Sequence, residues 1–124
     1  DLNMSDRFHF TGFLRDNDVH AMFAQSDVYV MPSVSEPFGI SPLEAMQSNV
    51  PVIISKQSGV AEVLRHAIKV DFWDVDAMAD AIYGLINYDA LSNYFKEHGQ
   101  VEVNNLKWDN AAYILKEIYL RMLQ

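Results

Sequence analysis

The chain has 124 residues, half of them hydrophobic and 21% charged, with 9 basic against 17 acidic side chains and no cysteine. This suits one packed globular unit and excludes a disordered chain, a disulfide scaffold, a cysteine nucleophile and a Cys-built zinc site. A net charge of −8 argues against nucleic acid or a polybasic membrane anchor, and no apolar run approaches the roughly 20 residues that span a bilayer.

Arg7 to Leu14 is an aromatic run broken at Gly12, which predicts a short strand and a turn. Asp16, Asn17 and Asp18 offer caps for a helix reaching about Gln25. Asp27 to Met31 is β-branched and aromatic and stops at Pro32, which predicts a buried strand. After a loop, Ser41-Pro42-Leu43-Glu44 has the form of a capping box with proline at the first helical position, so a helix is expected from there to about Ser48. Val50 to Ser55 predicts a second apolar strand, Val60 to His66 a short helix, and Ile68 to Val70 a further strand. Asp74 or Asp76 caps a helix to about Asn87, with Ala77, Met78, Ala81, Ile82, Leu85 and Ile86 on one face. Two more helices are expected, one over Tyr88 to Asn104, interrupted or ended near Gly99, and one over Asp109 to Leu123.

Apolar strands alternating with helices predict an α/β fold: a partial Rossmann-like parallel sheet of about four strands, with helices on both faces. Residues 1–87 would form this layer and residues 88–124 a C-terminal helical tail.

In such sheets ligands sit beyond the carboxyl ends of the strands. The loop after Met31 carries Glu36 and leads through Phe38, Gly39, Ile40 and Ser41 to Glu44. Gly39 lets backbone approach a ligand closely, and the following helix start offers free N–H groups to an anion. Carboxylates at Glu36 and Glu44 suit vicinal hydroxyls. A phosphorylated sugar or nucleotide is the chemistry this loop fits.

The segment Glu36-Pro37-Phe38-Gly39-Ile40 to Glu44-Ala45-Met46 resembles the donor motif of GT-B-fold retaining glycosyltransferases of family 4, which include the glycogen and starch synthases. The segments around Gly12, Asp27–Ser33, Pro51-Val52-Ile53 and Gly59-Val60-Ala61-Glu62 follow the family order over nearly the whole chain. The resemblance implies that Glu36 meets the donor sugar near the reacting centre and that Glu44 grips the ribose. Backbone of Phe38 to Ser41 would meet sugar and diphosphate, and backbone near Phe13 and Leu14 would line the base pocket. It implies a nucleotide diphosphate sugar as donor, a carbohydrate acceptor such as a growing glucan, no cofactor or catalytic metal, and a cytoplasmic setting. It also implies that the family's diphosphate-binding Arg and Lys and its acceptor domain belong upstream. Neither Arg15 nor Lys56 matches those cations, and Ser58-Gly59 stands where the family commonly has Gly-Gly. The chain is therefore expected to be the later part of a donor domain and inactive alone. Its last helix, from Trp108, would carry an exposed apolar stripe or self-associate through it.

Each of these residues also has a plainer role. Glu44 completes the capping box, and Ser41 is its N-cap. His9, His20, His66 and His98 lack metal-ligand spacing and fit surface or packing roles. Trp73 and Trp108 are assigned to helix packing rather than sugar stacking. The cluster Asp71, Asp74, Asp76 and Asp80 lacks the pattern of a calcium loop. Lys56 after a late strand suggests a receiver-like signalling or other non-catalytic binding module, but Asp27 stands at the wrong end of its strand for that.

Overall fold

In the computed structural model, residue 7, residues 16–32 and residues 40–122 are described, and the side chains of residues 16, 17, 19, 40, 41 and 107–119 are not. In chain order these residues form α1 (Asp16–Ala24), β1 (Tyr29–Met31), α2 (Ile40–Gln47), β2 (Val52–Ser55), a 3₁₀ turn (Gly59–Glu62), β3 (Ile68–Val70), α3 (Val75–Asn87) and α4 (Asp89–Met122).

The three strands make one parallel sheet in the order β1-β2-β3. Three strands are therefore present among the described residues, against the four expected. The missing one, Arg7 to Leu14, lies outside the described residues except for Arg7, whose backbone is in a 3₁₀ turn. Tyr29 pairs with Val52, Ile53 with Ile68, and Ser55 with Val70. Val52, Ile53 and Ile54 are almost wholly buried, so β2 is covered on both faces. This is why it reads as a continuous apolar run rather than an alternating one.

The two faces separate by residue parity, as strand geometry requires. Tyr29, Met31, Val52 and Ile54 join one cluster with Ala45, Met46, Val60, Leu64 and Val103. Val28, Val30, Ile53, Ile68 and Val70 join the other, with Ala77, Met78, Ala81, Ile82 and Leu85 of α3. That α3 set matches the face expected from spacing, save for one residue. Ile86 is exposed, because it sits on the helix side turned away from the sheet. Asp74, rather than Asp76, caps α3: its carboxylate accepts from the Ala77 N–H at 3.0 Å, which satisfies one of the free donors of the first turn.

Three local expectations change. First, α2 begins at Ile40, so Ser41 and Pro42 lie inside its first turn and the Ser41–Glu44 capping box does not cap it. Pro42 is tolerated because first-turn N–H groups have no intrahelical partner to lose. Second, the helix expected over Val60–His66 is only the 3₁₀ turn Gly59–Glu62. Third, the two terminal helices are one helix of 34 residues, about 51 Å long. Gly99 does not stop it. A Cβ at Gly99 would stand 3.2 Å from Met46 Cε and 3.8 Å from the His66 carbonyl oxygen. The glycine lies where α4 packs against Met46 of α2, and that tight approach is what its missing side chain serves.

The exit from α2 depends on Asn49, whose φ is 63°. The Val50 N–H donates to the Ala45 carbonyl at 3.0 Å and the Asn49 N–H to the Met46 carbonyl at 3.2 Å, the paired bonds of a Schellman cap. Asparagine tolerates the left-handed region better than alanine does. Asn49→Ala is expected to lower stability by about 1 kcal/mol and Asn49→Gly to preserve or raise it, as read from urea midpoints. Equal midpoints for the two variants would contradict the cap.

Candidate functional site

At the carboxyl end of β1 the chain passes from Met31 to Pro32, and α2 opens at Ile40. Proline cannot donate to a ladder, so the strand ends there. Strand β1 and helix α2 stand on either side of the expected loop, whose residues 33–39 lie outside the described residues. Of the residues singled out in sequence, Phe13, Leu14, Glu36, Phe38 and Gly39 lie outside the described residues. Ile40 and Ser41 supply the first two backbone units of α2, whose N-terminal N–H groups and dipole favour an anion.

Glu44 lies one turn into α2 and is half-buried. Its neighbours Pro42, Ala45 and Met46 are buried, so they anchor the helix and leave Glu44 on a different side of it. Among the described residues the Glu44 carboxylate has no hydrogen-bond or ion-pair partner. It keeps both oxygens available to hydroxyl donors.

The carboxyl ends of β2 and β3 are tied by a polar hub that sequence reasoning missed. Gln57 Nε2 donates to Asp71 Oδ1 at 2.9 Å, and Gln57 Oε1 accepts from the Phe72 N–H at 3.1 Å and from the Ser55 hydroxyl at 2.9 Å. Ser55 is fully buried, and its Oγ accepts the Gln57 N–H at 3.1 Å. The Ser58 hydroxyl donates to the Ser55 carbonyl at 2.7 Å. Lys56 pairs with Asp71 at 3.7 Å. Nothing in a lone glutamine's sequence context announces such a hub. The nearest available signal was a polar cluster directly after an apolar strand.

The structure overturns the packing role given to Trp73. Its side chain is 62% exposed, in the turn between β3 and α3, edge-on to Phe72 with ring centroids 5.0 Å apart. The Trp108 side chain lies outside the described residues. Of the stripe expected on the last helix at Trp108, Ala111, Leu115, Ile118 and Met122, Met122 is exposed, and the other four side chains fall outside the description.

At the opposite, amino end of the sheet, Glu102 of α4 accepts the backbone N–H groups of Arg65 at 2.7 Å and His66 at 2.8 Å. It also meets His66 Nδ1 at 3.1 Å. His98 stacks on Tyr94 at 4.2 Å between centroids, and the His66 ring lies 5.3 Å from that of His98. The His66 and His98 rings border an open cleft of about 590 Å³ that also takes in Arg65, Glu97 and Val101. No group of three or more possible metal-ligating side chains occurs among the described residues. His66 and His98 pack and bond, His20 is exposed, and His9 lies outside the description.

A parallel sheet covered by helices on both faces, with a helix start at its carboxyl edge, is a Rossmann-like layer. The family model described as "Glycosyl transferases group 1" matches residues 1–102, and the chain belongs to that family. It is 28% identical over 95% of its length to an uncharacterized glycosyltransferase, MJ1607, of Methanocaldococcus jannaschii, covering 31% of that protein. It is 31% identical over 82% of its length to the 2-deoxystreptamine N-acetyl-D-glucosaminyltransferase of Niallia circulans, covering 27% of it. The sucrose-phosphate synthase structure from Thermosynechococcus elongatus superposes with a TM-score of 0.85 at 27% identity, over 98% of this chain and 31% of that one. The likeness places the sheet in the GT-B class. The chain spans about a third or less of the length of the relatives it matches.

Proposed function

We propose that the chain is the nucleotide-sugar-binding part of a retaining glycosyltransferase, moving a hexose from a nucleotide diphosphate donor to a carbohydrate acceptor. The observation that carries this reading is the family match across residues 1–102, together with Glu44, which lies one turn into α2 and has no partner among the described residues. In the proposed site Glu36 contacts the donor sugar beside the reacting carbon, and Glu44 accepts from the ribose hydroxyls. The backbone of Phe38 to Ser41 faces the diphosphate, and that of Phe13 and Leu14 the base. Glucose and a growing glucan are the first sugar and acceptor to test. The names of two relatives, an N-acetyl-D-glucosaminyltransferase and a sucrose-phosphate synthase, support a hexose-type sugar.

The chemistry asks for positioning of the donor and neutralisation of the departing diphosphate rather than for a metal or an organic cofactor. The cytoplasm, where nucleotide sugars are drawn from metabolism, is the proposed compartment. No helix is long and apolar enough among the described residues to cross a membrane. Since relatives devote about two-thirds of their length to other segments, the 124-residue chain is proposed not to transfer sugar by itself.

The test is a donor screen. Full-length protein is assayed with ADP-, UDP- and GDP-sugars, and the anomeric configuration of the product is read by NMR. The expected result is transfer with retained configuration from one of the three and none from the 124-residue chain. An inverted product, or turnover by the chain alone, would overturn the corresponding part of the proposal.

A further inference from the structure

The turn from Asp71 to Asp74 breaks the usual chemistry of turns. Its Asp74 N–H donates to the Asp71 carbonyl at 2.9 Å, and its two central residues are Phe72 and Trp73. Glycine, proline, asparagine, aspartate and serine normally hold such positions. Here two large rings do, at 45% and 62% exposure, and Val75 after them is 72% exposed. Placing this much apolar surface in water has no local structural reason, and contiguous exposed apolar surface marks contact sites.

The turn is also held rigidly. The Phe72 N–H is bound by Gln57 Oε1, Asp71 is gripped by Gln57 and Lys56, and the Val75 N–H donates to the Trp73 carbonyl at 3.1 Å. Asp74 then caps α3. The two rings stand at 84° to each other, the edge-to-face arrangement that the ring quadrupole favours. Rings fixed before binding lose little entropy on contact.

We propose that this turn is a saccharide-stacking subsite that takes a neutral pyranose unit of the acceptor on Trp73 and Phe72. The proposal rests on the reading of the chain as part of a sugar transferase. A pyranose presents an apolar C–H face and a rim of hydroxyls. The rings match the face, and next to them Asp74 Oδ2 and the Asp76 carboxylate, which take part in no bond among the described residues, supply acceptors for hydroxyls. The strands are parallel, so the turn after β3 lies at the same end of the sheet as the loop after β1. The two strands are separated by one other, or about 10 Å, a span that an oligosaccharide readily bridges.

Other occupants fit less well. Asp71, Asp74 and Asp76 lie beside the rings and repel an anionic lipid surface. Two rings and a valine fall far short of the roughly 800 Å² per partner of a stable protein interface. Tyr83 and Ile86 are exposed further along α3, and an assembly recruiting them as well would appear as self-association.

The test uses saturation-transfer NMR on the 124-residue chain, with maltotriose and an α-mannotriose as probes. UDP, ADP and GDP binding is measured on the full-length protein. Transfer to the sugar C–H protons is expected, weakened about tenfold by Trp73→Ala, partly restored in Trp73→Phe and unchanged in Trp108→Phe. Absence of transfer from both probes would overturn the subsite, as would equal transfer in Trp73→Ala with an unaltered circular dichroism spectrum. A Trp73 fluorescence shift with vesicles or with protein concentration, in place of one with sugar, would also overturn it. Nucleotide binding without saccharide binding removes the subsite alone. Loss of nucleotide binding in the full-length protein removes the donor-site reading instead.

Discussion

In the full-length protein, the proposed role of Glu36 predicts that Glu36→Ala reduces sugar transfer about a hundredfold or more. Glu44→Ala should weaken nucleotide-sugar binding about tenfold to a hundredfold, and both variants should stay folded. The Glu44 case separates two roles that sequence left open. As the acidic member of a capping box, Glu44 would hold the helix start, and its loss would cost about 1 kcal/mol. In the structure α2 already begins at Ile40, which leaves Glu44 too deep in the helix to cap it. The carboxylate is half-buried and unpartnered among the described residues, so alanine removes no bond and should change stability by less than about 0.5 kcal/mol. A carboxylate that accepts two ribose hydroxyls loses that interaction outright. Urea unfolding and calorimetric donor titration of the same variant read both quantities. A stability loss near 1 kcal/mol with unchanged donor affinity would return Glu44 to a purely structural role.

The largest effect on folding is expected at Glu102. Its side chain is 12% exposed and joins α4 to the chain just before β3 through two backbone N–H groups and His66 Nδ1. Glu102→Ala leaves those donors without their acceptor and should cost about 2 kcal/mol, less than a fully buried pair because the Arg65 N–H can turn to water. Glu102→Gln keeps the shape but has one acceptor oxygen for two N–H groups, and should cost about 1 kcal/mol. Urea midpoints at neutral pH measure both. If both variants fall within about 0.5 kcal/mol of the parent, the contact is incidental.

The layers of the fold were legible because they rest on residue pattern. The apolar run at Val52–Ser55, the strand Ile68–Val70 and the α3 face from Ala77 to Leu85 each carry a periodicity that burial enforces. What failed had a tertiary cause. Gly99 reads as a stop in sequence, because no local rule reports that Met46 will press against it. Trp73 reads as a core anchor, because large aromatics are usually buried, and only the bonded turn around it keeps it out. The capping box at Ser41 was misplaced by the short distance between two adjacent helix starts, which propensity alone does not resolve. Strand β1 and helix α2, which flank the proposed site, were legible from the apolar run that stops at Pro32 and from the proline near the helix start, whereas the Gln57 hub joins residues 14 and 15 positions apart and exists only once β2 and β3 lie side by side.

The single long helix α4 bears on how the molecule comes apart. Phe95 packs into the cluster on one face of the sheet, and Val103 and Leu106 into the cluster on the other. Two cores divided by a layer of backbone would ordinarily be free to melt at different temperatures. A continuous rod that inserts into both removes that freedom, because its hydrogen-bonded backbone cannot release one end without disturbing the other. Loosening on either face should therefore spread to both, and heat should take the sheet and its two helical coverings through one shared transition.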